Sequence, residues 1–118
     1  MQYMFLIYSD ESQEPQPGTP AFDEYMGAYN AFSEEVKKRG IYQHAAPLEP
    51  VAAATTVRVR GGSTTATDGP FAETKEQLGG YYLLDCRNLD EALGLAAKIP
   101  TAKHGSIEVR PVMVMPGE

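Results

Sequence analysis

The sequence predicts a single α+β domain in which two helices cover one face of an antiparallel sheet. Three observations lead to this fold class: two amphipathic segments with helix caps, several short apolar runs of strand length, and a Gly-Gly turn between two alternating segments. A chain of 118 residues suits one domain with one core, so we treat residues 1–118 as one unit.

The first predicted strand covers residues 3–8, an almost unbroken apolar run that is typical of a strand buried on both faces. The stretch SDESQEPQPGTP then predicts a loop or flap. The clearest helix follows over residues 20–39, with Thr19 as its N-cap, Pro20 at its first position and Gly40 as its stop. Its apolar stripe has helical spacing and comprises Phe22, Tyr25, Met26, Tyr29, Phe32 and Val36.

Extended structure is predicted over residues 41–48, and a hairpin over residues 55–67. Gly61-Gly62 suits a two-residue turn, which places Val59 opposite Thr64 and Val57 opposite Ala66. The valines then share one side of the hairpin, and the arginines between them lie on the other.

The second half of the chain predicts a strand over residues 80–86, preceded by Gly79-Gly80, which would permit a bulge. Asn88 begins a capping-box pattern for a second helix. The last strand is expected over residues 107–115. The buried face of the second helix is predicted to comprise Leu89, Ala92, Leu93, Ala96 and Ile99.

This order of elements reduces to βαββαβ, the ferredoxin-like arrangement, with the hairpin as an addition. Two helices cover only one face of such a sheet, yet the strand at residues 3–8 and the segment 81–86 are apolar on both faces. A monomer would leave a large apolar patch in water. The sequence therefore predicts a homodimer in which two sheets pack face to face.

Charge and motifs exclude several classes of partner. A net charge of −6 and a pI near 4.9 argue against direct binding to nucleic acid or to an anionic membrane. The apolar run at residues 3–8 is too short for a signal core or a spanning helix. No metal-ligand spacing and no nucleotide-phosphate motif is present, so no cofactor is expected. Cys86 is the only cysteine, which fits a reducing cytoplasm.

The segment TDGPFAETKEQLGGYYLLD, followed by DEA and IEVRPV, resembles the YCII-related family and, more closely, its branch named for the DGPF motif. The resemblance covers nearly the whole chain. It implies a dimeric α+β barrel, relatives that include small enzymes without cofactors, and an association with extracytoplasmic-function sigma factors. The family's compact branch has a proposed catalytic histidine on the first helix, paired with an aspartate. Residues 20–39 contain no histidine, so that pair does not carry over.

Asp68 and His44 are the candidate catalytic pair. Asp68 begins the DGPF motif and suits a general base, although an Asp-Gly-Pro turn alone also accounts for it. His44 is expected on the same strand face as Tyr42, and it would meet Asp68 if that face turned into a dimer barrel. The alternative is a hydrogen-bonded strand histidine. His104, in the polar loop TAKHG, is expected to be exposed.

Four further residues are candidate ligand-binding groups. Arg58 or Lys75 would hold a negative group, and Phe71 and Tyr82 would form an apolar wall. The alternative for each is solvated surface or core packing. Two functions stay open at this point. One is a small-molecule-binding protein, acting on a polar-aromatic or anionic ligand without a metal. The other is a non-enzymatic regulatory protein associated with a sigma factor.

Overall fold

A computed structural model of the chain describes residues 1–117. Two helices are present in this range, α1 (Pro20–Lys38) and α2 (Leu89–Ala96). The strands are β1 (Gln2–Ser9), β2 (Tyr42–Pro47), β3 (Thr55–Arg60), β4 (Ser63–Asp68), β5 (Gln77–Asp85) and β6 (Ser106–Pro111).

Four strands form an antiparallel sheet in the order β2-β5-β1-β6, and β3 pairs only with β4. The crossover through α1 separates β1 from β2, which leaves the place between them for β5. This order confirms the predicted ferredoxin-like βαββαβ arrangement with an additional hairpin.

The core lies between the sheet and the two helices. Alternate residues of β1 point into it, because successive side chains of a strand face opposite sides. Phe5 and Leu84 are completely buried at its centre, and Val36 and Ile99 close it from the helical side. The other buried apolar residues of this core are Tyr3, Ile7, Phe32, Tyr82, Cys86, Ala92, Leu95 and Ala96.

The opposite side of the sheet, called here the open face, carries no helix. The pairings of Met4 with Leu83 and of Leu6 with Tyr81 place these four residues side by side on it, next to Tyr8. Each of them is only partly buried. The prediction that both faces of the central strands are apolar is confirmed.

Helix α1 begins and ends as the sequence predicts. The Thr19 hydroxyl accepts a hydrogen bond from the Phe22 N–H, and Pro20 occupies the first turn. The chain leaves the helix through Gly40, whose φ is 73°. Only the C-terminal part of the apolar stripe, Phe32 and Val36, is fully buried. The N-terminal half faces a cleft.

Helix α2 differs from the prediction. Asn88 caps it by accepting from the Glu91 N–H at 2.9 Å, as expected. However, Leu89 and Leu93 are about half exposed, and Leu95 is buried in their place. The helix is only eight residues long and ends before Ile99, so the residues that face the sheet are Ala92, Leu95 and Ala96. Of the five predicted residues, Ala92, Ala96 and Ile99 are buried as expected, whereas Leu89 and Leu93 are not.

The last strand is shorter than predicted and ends at Pro111. Val112 donates its N–H to Gln2, the first residue of β1, at 2.9 Å. Because β1 begins at Gln2, it has no residue left to pair with Met113 or Val114, and both of these side chains are exposed. The extension of the strand to residue 115 was therefore wrong.

Two irregularities adjust the sheet. Ile7 pairs with Gly80 and Tyr8 pairs with Leu78, so Gly79 is the extra residue of the expected bulge. A second register shift lies between Tyr42 and His44. Tyr42 pairs with the core residue Leu84, whereas His44 pairs with Leu83 of the open face. The prediction that Tyr42 and His44 share a face was wrong, because the shift at Gln43 turns them to opposite sides.

The β3–β4 hairpin projects from the domain and is called here the arm (residues 55–68). Its register is as predicted, with Val59 opposite Thr64 and Val57 opposite Ala66. Gly61 and Gly62 both have positive φ, at 56° and 79°, as a type I′ turn requires. Every side chain of β4 is exposed. Among the described residues, no helix is long and apolar enough to cross a membrane.

Candidate functional site

A cleft of about 720 Å³ opens on the helical side of the sheet. The N-terminal half of α1 forms one wall, and the ends of β2 and β5 form the other. The loop at residues 11–17 lies across one end. Tyr82, which hydrogen-bonds Ser33 at 2.6 Å, stands at the inner end next to the core. A cleft of this size suits a small organic molecule.

Hydroxyl groups converge at the cleft around Thr101, a residue that is only 1% exposed. Tyr25 and Tyr29 stand one turn apart on α1, and both of their hydroxyls hydrogen-bond the Thr101 hydroxyl. Their rings pack edge to face with centroids 5.2 Å apart. The Thr101 hydroxyl can donate only one proton, so it cannot donate to both tyrosines at once. The tyrosine hydroxyls therefore keep hydrogen-bonding sites that a ligand can use.

A carboxylate and an imidazole flank this hydroxyl cluster. Glu14 accepts a hydrogen bond from the Ser9 hydroxyl, and its Oε1 lies 3.9 Å from Nε2 of His104. That distance is too long for a hydrogen bond, so both groups remain able to bond a third group. The His104 ring also lies 5.8 Å from the ring of Tyr25. The side chains of His104 and Glu14 are 36% and 26% exposed.

His104 is exposed in the loop before β6, as expected, but the sequence did not indicate its position beside Glu14. The antiparallel pairing of β1 and β6 brings the end of β1 beside the loop before β6. Glu14, in the loop after β1, therefore lies next to His104, although the two residues are far apart in the sequence. Gly105 permits this approach because it lies against the Tyr8 carbonyl.

The charge of the lining is acidic. Glu11 and Glu14 are its ionisable side chains besides the tyrosines, and none of the lining residues is a lysine or an arginine. Glu11 is also structural, because its carboxylate accepts the Val51 N–H at 3.0 Å and ties the loop to the chain after β2. A cleft of this kind repels anions and accepts neutral or hydrogen-bond-donating groups.

Burial raises the pKa of Tyr29 and of Tyr25, and it also raises the pKa of Tyr82. For Tyr25 the nearby Glu14 charge adds to the effect. All three phenols therefore keep their protons at neutral pH, and each can donate one hydrogen bond.

These raised pKa values predict a loss of stability in alkali. Above about pH 10 the unfolded tyrosines ionise while the buried ones stay protonated. The folded state then binds more protons, so its stability falls as pH rises. We expect the melting temperature to drop more steeply above this pH in the wild type than in Tyr29→Phe, as measured by circular dichroism melts over a pH series. Equal slopes for the two proteins would contradict the expectation.

Three of the predicted site residues lie at the base of the arm, away from the cleft. Asp68 is the exposed last residue of β4, and among residues 1–117 no side chain hydrogen-bonds its carboxylate. Arg58 donates to the Phe71 carbonyl at 3.2 Å. Phe71 itself is 79% exposed. The structure thus brings Arg58 and Phe71 together, but not around a cavity.

The other predicted residues are dispersed. His44 lies on the open face, where its Nδ1 is 2.7 Å from the Tyr81 hydroxyl and the two rings stack. Lys75 is exposed in the loop before β5. Tyr82 lines the cleft. Within the described chain no hydrogen bond joins Asp68 to His44, so this pair stays a prediction that requires a second copy.

Neither a metal site nor a reactive thiol is found in the described part of the chain. No group of three or more His, Cys, Asp or Glu side chains is arranged to hold a metal ion in residues 1–117. Cys86 is buried, and burial raises the pKa of its thiol. A protonated, buried thiol is a packing group rather than a nucleophile.

The fold and the cleft together define a ferredoxin-like α+β protein with a small-molecule-sized cavity beside its sheet. The chain belongs to the YCII-related family, because the profile of the YCII-related domain matches residues 1–116. This confirms the resemblance drawn from the DGPF segment.

Two relatives illustrate the comparison. An uncharacterised protein of Rhizobium meliloti (strain 1021), R00369, is 42% identical over 121 residues, covering 100% of this chain and 98% of that protein. Among solved structures, the 5-chloro-2-hydroxyhydroquinone dehydrochlorinase TftG from Burkholderia phenoliruptrix AC1100, in complex with 2,5-dihydroxybenzoquinone, is similar with a TM-score of 0.53. It is 15% identical and the match covers 96% of this chain and 94% of that one. At this identity the likeness supports the fold.

Proposed function

We propose that this protein binds a small, neutral, hydroxylated aromatic molecule in the cleft and moves a proton on it without a metal or a nucleotide. The observation that carries the proposal is that Glu14 lines the cleft together with the Tyr25–Thr101–Tyr29 hydroxyls and has His104 as its neighbour, 3.9 Å away. An imidazole oriented by a carboxylate is the commonest general base in proteins. In this reaction His104 takes a proton from a ligand hydroxyl, and Glu14 stabilises the imidazolium that forms.

The composition of the lining selects the class of ligand. Aromatic rings from Phe22, Tyr25 and Tyr29 pack well against a flat ring, while the tyrosine hydroxyls bond its hydroxyl groups. The two glutamates disfavour a carboxylate or phosphate on the ligand. Of the two ligand types left open by the sequence, the polar-aromatic type is therefore the one we propose. The hydroxyquinol named for the similar dehydrochlorinase belongs to this chemical class.

Binding of a matched pair of probes tests this proposal. We expect hydroquinone to bind and 2,5-dihydroxybenzoate to bind at least about tenfold more weakly, because only the second carries a negative charge at neutral pH. Ligand-observed NMR and isothermal calorimetry would measure both. Equal or stronger binding of the benzoate would contradict the proposed ligand class.

A pair of variants locates the binding. Met26 lines the cleft, whereas Ala28, two residues further along α1, is exposed and does not. Met26→Trp should obstruct the cleft and weaken hydroquinone binding about tenfold or more. Ala28→Trp adds the same ring to the same helix and should leave binding unchanged. If the two variants behaved alike, the probe would bind elsewhere.

We further propose that two copies pair through their open faces, as the apolar residues Met4, Leu6, Tyr81 and Leu83 suggest. The lone, unpaired Cys86 supports a reducing, cytoplasmic setting. The regulatory alternative, association with an extracytoplasmic-function sigma factor, stays a prediction. A cleft that binds none of a broad set of hydroxylated aromatics would favour that alternative.

A further inference from the structure

The arm (residues 55–68) exposes one apolar face. Val57 and Val59 are 62% and 58% exposed, and the register places Ala66 and Thr64 beside them. A two-stranded hairpin alone is only marginally stable in water. No element within residues 1–117 covers this apolar face, and an exposed apolar face of this kind is typical of a surface that contacts another chain.

The overall dimensions show how much surface the chain leaves uncovered. Its radius of gyration is 16.4 Å, whereas a compact chain of this length has about 13.5 Å. Its accessible surface is 8078 Å², against about 6,300 Å² for a compact monomer of its mass. The excess, about 1,800 Å², exceeds the roughly 800 Å² that each partner buries in a standard interface. Such an excess is typical of a subunit taken out of its assembly.

We propose that the arm reaches across to a second copy of this chain and packs its Val57, Val59 and Ala66 face on that copy. This inference rests on the proposed pairing of the open faces. Six-residue strands extend about 20 Å, which is long enough to pass from one subunit onto the next. Charge also favours a second copy as the partner of the arm. The arm contains Arg58, Arg60 and Asp68 and has a net charge of +1. The chain as a whole has −6, so the part outside the arm has −7.

The DGPF motif gains a role from this arrangement, because it builds the base of the arm. The Gly69 N–H donates to the Ala54 carbonyl at 2.7 Å, and the Thr56 hydroxyl donates to the Gly69 carbonyl at 2.9 Å. Gly69 has a φ of 105°, which favours glycine. Arg58 then fixes the Phe71 carbonyl. The motif therefore sets the angle at which the arm leaves the domain, and the exposed Phe71 ring adds apolar surface at its root.

Two double variants on opposite faces of the arm test the proposal. Val57→Glu with Val59→Glu should raise the dimer dissociation constant about a hundredfold or more, because four buried valines per dimer become charged. Ser63→Glu with Thr65→Glu places the same charges on the other face, opposite Arg60 and Arg58, and should raise the constant by no more than about threefold, the share of the effect that net charge alone accounts for. Sedimentation velocity over a dilution series measures both, with circular dichroism to verify folding.

Photo-crosslinking identifies what the arm touches. A benzophenone side chain at position 59, in a mixture of isotopically heavy and light copies, should give heavy–light crosslinked peptides by mass spectrometry. Crosslinks within one chain only, or none from a dimeric protein, would overturn the arm proposal and leave the open-face pairing intact. A wild-type protein that sediments as a monomer throughout the series would overturn both.

Discussion

Gly105→Ala should destabilise the fold by roughly 3 kcal/mol and lower the melting temperature by about 10 °C. A Cβ at this position would overlap the Tyr8 carbonyl oxygen and would lie 2.9 Å from Cγ2 of Thr101 and 3.2 Å from Cβ of Ser9. The Tyr8 carbonyl belongs to β1 and is not free to move. The extra methyl group must therefore push β6 away from β1 or displace the loop that carries His104.

Gly27→Ala is the matched control for that substitution. Gly27 lies in α1 with no atom within 4 Å of its would-be Cβ, so alanine should raise stability by about 0.5–1 kcal/mol through helix propensity. Denaturant unfolding of both variants measures the difference. If Gly105→Ala were as stable as the wild type, the packing of the loop at residues 101–105 against β1 would be wrong. Loss of hydroquinone binding in that variant would further link this packing to the cleft.

The fold was largely readable from the sequence because its local signals agree with one another. The Thr19–Pro20 start and the Gly40 stop of α1 act through the backbone of a few residues, as do the paired glycines of the arm. Apolar alternation set the register of the arm and marked both faces of β1. These signals survive in the tertiary structure because packing reinforces them.

The predictions were wrong where tertiary contacts, and not the local sequence, determine the face or the end of an element. The register shift at Gln43 turns His44 to the open face, and no residue type in β2 indicates that a shift occurs there. Helix α2 is so short that a small rotation exchanges Leu93 for Leu95 at the core. The end of β6 depends on where β1 begins, which is a property of the pair rather than of either strand.

The candidate site was missed for a related reason. The DGPF motif dominated the prediction, whereas the candidate site draws on three separated segments: Glu14 from the loop after β1, Tyr25 and Tyr29 from α1, and Thr101 with the nearby His104 from the loop before β6. One signal was available: in a βαββαβ sheet the last strand pairs antiparallel with the first, so the loop after β1 meets the loop before β6. That topology alone places residues 10–17 beside the TAKHG loop. The bonds between the tyrosines and Thr101 had no such signal, because they depend on the rotation of α1.

Loss of proton transfer should be the largest functional effect of a single substitution. We expect His104→Gln and Glu14→Gln each to slow the reaction by about 10²–10³-fold while changing ligand affinity little. The reason is that both variants keep the size of the side chain and the Ser9 contact but remove the base or its charged partner. The rate is that of deuterium incorporation at the ring carbons of 2-hydroxyhydroquinone in anaerobic D₂O, followed by NMR, since ionisation of a ring hydroxyl activates those carbons.

His44→Gln and Asp68→Asn provide the decisive comparison. His44 bonds Tyr81 on the open face and Asp68 ends the arm, so neither touches the cleft within one chain, and both variants should exchange at the wild-type rate. A loss confined to His44→Gln and Asp68→Asn would instead locate the chemistry at an interface between two copies, because these two residues do not meet within one chain. Because the cleft and His44 lie on opposite faces of the four-stranded sheet, the four rates show which face carries the reaction.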